Sequence, residues 1–358
     1  MALTGAMSAG ISGLKAHMDA LNVVGNNVAN VNTQGYKPGR VTFMESIYST
    51  QSAGSAGTAT VGGTNPRQTG YGVGIGTIDL DMSSRSLDST GRGMDCAIQG
   101  DGFFLVGDKT HDIDSMDALK GLTLTRVGNF EFRDGYLTDG QGNVVYGFIT
   151  RSNGDAPGTT PGDKPSTDLV PIRLPMKSTD PNSKGDAVYV GVDNQTGANV
   201  YPDNDPAATV DGFVDLENIS IDKNGKITGT NKDTGDPVVV GYIALGSVEN
   251  LNGVLHTEGP YYTAGDAAGG IRVGTPGNSV TGNLRNDKIT DGNNVVAPDS
   301  ALAEGSGATL MTGFLEASGT DLAAEFANMI IYQRGYQANT RIVTVTDTML
   351  EELVNMKR

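Results

Sequence analysis

The stretch from Met7 to Val28 reads MSAGISGLKAHMDALNVVGNNV. Met7, Ile11, Leu14, Met18, Leu21, Gly25 and Val28 alternate steps of four and three, the a/d spacing of a helix that pairs along an apolar seam, with Lys15, Asp19 and Asn22 on other faces. The spacing predicts a helix of about seven turns. It runs into Asn26-Asn27-Val28-Ala29-Asn30-Val31-Asn32, where amide side chains can cap carbonyls and Asn tolerates the left-handed conformation, ahead of Gly35 and Pro38. The same alternation returns at the far end of the chain. Ser318-Gly319-Thr320-Asp321 resembles a capping box and precedes Leu322, Phe326, Met329, Gln333, Tyr336, Thr340, Val343, Asp347, Leu350 and Val354. At about 1.5 Å per residue this second helix reaches roughly 50 Å. A seam of that length has no core of its own in view. Two partners are open to it: the other terminal helix on one domain, or helices of neighbouring copies.

At roughly 150 residues per domain, the 358 residues predict two or three domains. With 51 glycines and 14 prolines, the chain is turn-rich but falls below the roughly 25–30% Gly plus Pro of low-complexity sequence, so a folded and mainly β middle is expected. All 14 prolines lie between Pro38 and Pro298, which leaves both ends free to be helical. Charge divides the same way. Residues 1–50 hold Lys15, Lys37 and Arg40 against Asp19 and Glu45, and the last 38 residues hold Arg334, Arg341, Lys357 and Arg358 against Asp321, Glu325, Asp347, Glu351 and Glu352. The net charge of −16 therefore lies between residues 51 and 320. Such acidity repels phosphates, which argues against broad nucleic-acid binding and against docking on anionic membranes. No basic n-region followed by an apolar run opens the chain, and no span approaches 18 apolar residues, so an exported form would need a route without a cleavable signal.

The middle reads as short strands between turns: Tyr71 to Met82, Met94 to Gln99, Phe103 to Gly107, Leu122 to Arg126, Phe130 to Phe132 and Val144 to Ile149, punctuated by Gly100-Asp101-Gly102, Asp134-Gly135 and Asp139-Gly140. Glu217 to Asp222 and Lys226 to Thr230 flank Asn224-Gly225, a strong hairpin signal, and Val238 to Leu245 continues the pattern. Residues 49–70 are small, polar and Gly-rich and suggest an extended linker. Residues 151–210 carry eight prolines among Asp, Asn, Thr and Gly, which looks like an inserted outer domain, and residues 274–308 read as loop. The expected organisation is mainly β with α-helical termini: 1–32 with 320–358 as a coiled-coil-like helical domain, 33–70 as linker, 71–150 with 211–319 as a β domain, and 151–210 inserted into it.

No catalytic, cofactor or metal site is expected. Gly70-Tyr71-Gly72-Val73-Gly74-Ile75-Gly76 lacks the lysine and the following helix of a phosphate cradle. Asp222-Lys223-Asn224-Gly225 begins like a calcium loop but lacks the bidentate glutamate. His17, His111 and His256 show no ligand spacing, and no Ser/His/Asp constellation stands out. Cys96, the single cysteine, can form no internal disulfide and lies in an apolar strand, where a packed small side chain is expected over a reactive thiol.

Three motifs in order then resemble the axial proteins of the bacterial flagellum, the rod and hook family. Leu21-Asn-Val-Val-Gly-Asn-Asn-Val-Ala-Asn-Val-Asn-Thr-Gln-Gly-Tyr-Lys37 is similar to the N-terminal signature, which places Asn26, Asn27, Ala29, Asn30, Gly35 and Tyr36 in it. Asp95-Cys-Ala-Ile-Gln-Gly-Asp-Gly-Phe-Phe-Leu-Val106 resembles the central motif, with Gly100, Gly102, Phe103 and Phe104. Leu315-Glu-Ala-Ser-Gly-Thr-Asp-Leu-Ala-Ala-Glu-Phe326, Gln333-Arg-Gly-Tyr-Gln-Ala-Asn339 and Leu353-Val-Asn-Met-Lys-Arg358 resemble the tail, with Gln333, Arg334, Tyr336 and Asn339. Length, the insertion and Gly62-Gly-Thr-Asn-Pro-Arg-Gln-Thr-Gly70 favour a hook-type member over the shorter distal rod type. Cys96 stands where the family usually has Val or Leu, and residues 278–304 are longer than the usual connection.

The resemblance implies a structural subunit without enzymatic activity, exported unfolded through the flagellar type III apparatus and assembled as a helical tube beneath a hook cap protein. It would lie between the rod and the hook-filament junction, outside the cell, bending while it transmits torque. The terminal helices would form the inner layer, with Met7, Ile11, Leu14, Met18, Leu21, Val28, Leu322, Phe326, Met329, Tyr336, Val343, Leu350 and Val354 at subunit interfaces. A rigid distal rod subunit is the alternative, followed by a secreted β-rich enzyme or adhesin.

Overall fold

The computed structural model describes residues 2–57, 60, 62–109, 119–151, 164–179, 184–185, 187–188, 191–192, 199–200, 210–276, 290–291, 294–295 and 308–356. The expected inserted domain at 151–210, the loop at 274–308 and His111 fall largely or wholly outside those residues. The chain divides into two units, Met1–Thr33 with Lys37–Asp81 and Ser318–Arg358, and Gln34–Tyr36 with Met82–Ala317.

The first unit is built on two helices, α1 (Ala2–Ala29) and α2 (Leu322–Met356). They run antiparallel, since Asn27 bonds Glu325 near one end while Gly10 lies against Val343 towards the other. Within 33–70, the span expected as a linker, the structure forms strands. β1 (Gly39–Glu45) pairs antiparallel with β4 (Val73–Leu80), and β2 (Tyr48–Ser52) with β3 (Arg67–Gly70). The N-cap of α2 is Asp321, whose Oδ1 accepts from the backbone N–H groups of Ala323 and Ala324 at 2.9 and 3.3 Å. Ser318, the expected capping-box residue, instead donates its hydroxyl to Asn30 O at 2.9 Å, and Thr320 donates to Asn27 O at 3.1 Å. Thr320 thereby supplies a donor to a carbonyl in the last turn of α1, and Ser318 adds a second donor to Asn30 O, which also accepts from Thr33 N at 3.1 Å.

Asn27 ties the unit together. Its side chain is buried, its Nδ2 donates to Gly39 O at 2.8 Å and to Glu325 Oε1 at 2.9 Å, and its Oδ1 accepts from Gly39 N at 3.0 Å. One amide thus joins α1, the start of β1 and the first turn of α2. Burial holds the Glu325 carboxyl above the usual carboxylate range, the charge of Asp321 adds to that, and the bond from Asn27 opposes it.

The second unit is a β structure with its own core. Its largest sheet, thirteen strands among the described residues, follows the order Leu216–Ile221, Lys226–Asn231, Pro237–Ile243, Val144–Arg151, Phe103–Gly107, Thr123–Thr125, Tyr261–Ala264, Val254–His256 along its main path. The strand Cys96–Gln99 pairs with Thr309–Thr312, and Leu87–Ser89 with Phe314–Glu316. Strands expected from turn signals therefore form, with bounds shifted by one or two residues. The core gathers Cys96, Ile98, Phe104, Val106, Phe130, Leu137, Val145, Ile172, Ile227, Val240, Ile243 and Leu245. Phe104 and Phe130 meet edge to face, 4.9 Å between centroids.

Polar groups inside this core have specific partners. Asp139 accepts from the backbone N–H groups of Gln141 and Asn143 and from the Tyr261 hydroxyl, the last at 2.5 Å. Arg126 and Glu316 face each other at 3.8 Å with side chains 0% and 1% exposed. Glu316 also receives the Gly35 N–H on its carbonyl at 2.8 Å and the Arg85 N–H on its Oε1 at 3.3 Å. Gly35 takes φ +68° against Val127, a left-handed conformation that explains a glycine there.

Burial, and secondarily Asp95, pushes the Cys96 thiol up, and burial with the Asp139 bond pushes the Tyr261 phenol up. Both groups stay protonated in the folded state after the unfolded chain has released its protons. The stability they carry is complete below the unfolded thiol value of about 8.5 and is lost as pH rises beyond it, more steeply above about 10. Urea melts of the β unit from pH 8 to 11 should show that slope, and Cys96→Ala should remove its first part. Cys96 should resist maleimide until the unit unfolds.

In the helical unit, Asn27→Ala should cost about 1–3 kcal/mol by leaving buried groups unpaired, read as faster hydrogen exchange in α1. Glu325 has the opposite linkage to an ordinary paired carboxylate. Its raised value means that stability is complete below about 4.3 and is lost as pH rises through the folded value. Glu325→Gln should therefore slow exchange at pH 7 and flatten its pH dependence.

Candidate assembly surface

On α1 the face buried within the chain is lined by small residues. Gly10, Gly13, Ala16, Ala20, Val24 and Asn27 are buried, at steps of three and four. The large seam residues point elsewhere: Met7, Ile11 and Met18 are exposed, and Leu14, Leu21 and Val28 are half-buried. The a/d pattern thus marks a real face of the helix, but the chain pairs its helices through the face beside it.

Helix α2 is more exposed still. Of its seam, Met329 and Val343 are half-buried, while Leu322, Phe326, Tyr336, Leu350 and Val354 are exposed. Ile330, Ile331, Ile342, Val345, Met349 and Leu353 add to the apolar surface, and Met356 is 82% exposed. Thr346 is the single fully buried residue of this helix. Scattered exposed apolar residues are ordinary, but here they line the length of one helix.

Where the β2–β3 ribbon joins β1 and β4, apolar side chains are again exposed. Met44, Tyr48 and Tyr71 are exposed, and Ile47 is 78% exposed. From Ser46 to Gly72 the only charged residue is Arg67, in a chain of net charge −16. Across β2 and β3 every residue is exposed except the half-buried Ser49, so this two-stranded element has no core under it.

The signature residues serve several structural ends. Asn26 accepts from the Asn30 side chain on both its carbonyl and its amide oxygen, Ala29 is exposed, and Tyr36 is half-buried. Gly100 and Gly102 take φ of +117° and +143° in the turn before Phe103 and Phe104, both fully buried. Gln333, Arg334 and Tyr336 are exposed and Asn339 is half-buried. Periodicity missed the small face of α1, because only large apolar residues enter such a count. It also missed Arg126 and Glu316, whose pairing no local pattern announces. Asp222–Gly225 is a hairpin turn, and among the described residues no cluster of His, Cys, Asp and Glu is placed to hold a metal. Among the same residues no helix is long and apolar enough to cross a membrane.

Two family models match the chain: "Flagella basal body rod protein" over residues 7–37 and "Flagellar basal body rod FlgEFG protein C-terminal" over 311–356. The chain is 32% identical over 357 residues to the flagellar basal-body rod protein FlgG of Bacillus subtilis, covering 98% of this chain and 97% of that one. It is 28% identical over 426 residues to the flagellar hook protein FlgE of Salmonella typhimurium, covering 98% and 99%. It is 25% identical over 472 residues to the FlgE of Borreliella burgdorferi, covering 97% and 98%. The matched ends are the two helices with the exposed apolar faces, and the full-length relatives bear the names that those ends announce: the chain belongs to the flagellar hook and basal-body rod family.

Proposed function

We propose that this chain is a structural subunit of the bacterial flagellar hook, a flexible tube of many copies that transmits torque from rod to filament while bending. The observation that carries the reading is the apolar surface of α1 and α2, left open in a single chain that belongs to an axial family. Copies of the same helices are its natural cover, and Met7, Ile11, Met18, Phe326, Tyr336, Leu350 and Val354 are the residues proposed to be buried there. Helices packed this way would make a coiled-coil-like inner layer stiff in twist. β units with acidic, polar surfaces would slide past one another more readily. The same reading places the chain outside the cell, exported through the flagellar type III apparatus, growing beneath a hook cap protein and flanked by rod and hook-filament junction proteins. It assigns no catalytic activity.

Several relatives that match this chain end to end are hook proteins. One observation favours the distal rod as second reading: the FlgG match runs over 357 positions, about the length of this chain, whereas the hook matches run over 426 and 472 and so contain segments that this chain lacks. Electron microscopy of the purified polymer separates the two. A curved tube supports the hook, a straight rod supports the alternative, and no polymer overturns both.

Phe326→Ala tests the surface itself. If this ring becomes a well-packed interface residue, its loss costs about 3–5 kcal/mol per subunit and should raise the critical concentration at least about a hundredfold. The melting temperature of the β unit should stay at the parent value. An unchanged critical concentration would remove Phe326 from the interface.

A further inference from the structure

Two glycines of the helix pair stand where an added Cβ would press into a polar side chain of the opposite helix, which would have to shift to admit it. A Cβ on Gly13 would lie 2.7 Å from Asn339 Nδ2 and 2.9 Å from its Oδ1. A Cβ on Gly335 would lie 2.6 Å from both Cε1 and Nε2 of His17. Gly13 and His17 are four residues apart on α1, as are Gly335 and Asn339 on α2. In an antiparallel pair each helix therefore offers a hole to the other's knob.

The knobs are themselves held. Asn339 Nδ2 donates to Gly335 O at 3.0 Å, the carbonyl of the residue that receives His17. The His17 ring lies against Phe43 and Tyr332, with centroids 5.4 and 6.2 Å away. The two contacts are thus linked through Gly335.

We propose that Gly13 with Asn339, and His17 with Gly335, form a reciprocal register lock that fixes how α1 and α2 pair within one chain. Gly335 is the only glycine of α2. A slip of seven residues would set His17 opposite Ile342 or Asn328, where no hole exists. A single polar group at a packed seam is a known way to fix register at some cost in stability. Here the lock also selects the faces, because it commits the small and polar residues to the pair inside the chain. The large seam residues are left for other contacts. This holds whether the assembly is hook or rod, and its test is made on the unassembled chain.

Gly5 and Gly25 are internal controls, because a Cβ on either meets nothing within 4 Å. Alanine is the better helix former, so Gly25→Ala should slow hydrogen exchange in α1. Gly13→Ala and Gly335→Ala should instead speed exchange in α1 and α2 by about tenfold or more, through overpacking. Oxidation of Gly13→Cys/Asn339→Cys should close a cross-link within one chain, while Gly13→Cys/Thr346→Cys, one heptad out of register, should not. If Gly13→Ala slows exchange as Gly25→Ala does, or if the shifted pair cross-links as readily as the native one, the lock is refuted.

Discussion

A single buried amide holds the helical unit in its arrangement. Asn27 uses both hydrogens and its oxygen on Gly39 and Glu325, so the end of α1, the start of β1 and the start of α2 are set by one rigid group. The unit needs such a clamp because its apolar core is thin: among the described residues, Ala16, Ala20 and Val24 are its fully buried hydrophobic side chains. Little hydrophobic burial is available to offset the entropy of ordering two long helices, and directional bonds with good geometry carry more of the specificity. Ser318 and Thr320 extend the same logic by capping carbonyls at the end of α1.

The β unit follows another economy. Phe103, Phe104, Leu105 and Val106 are all fully buried on one strand, and residues distant in sequence close around them. Inside this core the chain keeps Arg126 opposite Glu316, a pair that a hydrophobic replacement of similar volume would often equal in stability. What the pair supplies is position. Glu316 gathers Gly35 and the backbone of Arg85, so segments that enter the unit at three places along the chain meet at one residue.

Much of this could be read from residue order, and the omissions have physical reasons. Both terminal helices and most strands of the β unit are announced by periodicity and by glycine turns, which are local signals. The choice of helix face is not local. A pattern of large apolar residues states that a surface seeks cover without stating from where, and the cover inside the chain is made by Gly10, Gly13, Ala16 and Ala20, which such a pattern omits. The ribbon at Tyr48–Ser52 and Arg67–Gly70 was hidden for a related reason. Its small, polar composition is that of a linker, and what makes it a ribbon is the register between two segments fifteen residues apart. Asn27, Gly35 and Asn339 belong to the family-like signature, and each has a distinct place in the structure: Asn27 bonds Gly39 and Glu325, Gly35 takes a left-handed turn, and Asn339 packs against Gly13.

The partition of charge has a mechanical side. Nearly all of the net −16 belongs to residues 51–320, while the helical ends are close to neutral. In any assembly that repeats this chain side by side, the neutral helices pack without mutual repulsion and the acidic units push against their neighbours. At physiological salt that push fades over a Debye length of about 8 Å, so it acts only across narrow gaps and stiffens as a gap closes. Bending a tube narrows the gaps on its concave side and widens those on the convex side. The acidic surface would then act as a distributed spring whose constant is set by the ionic strength of the medium.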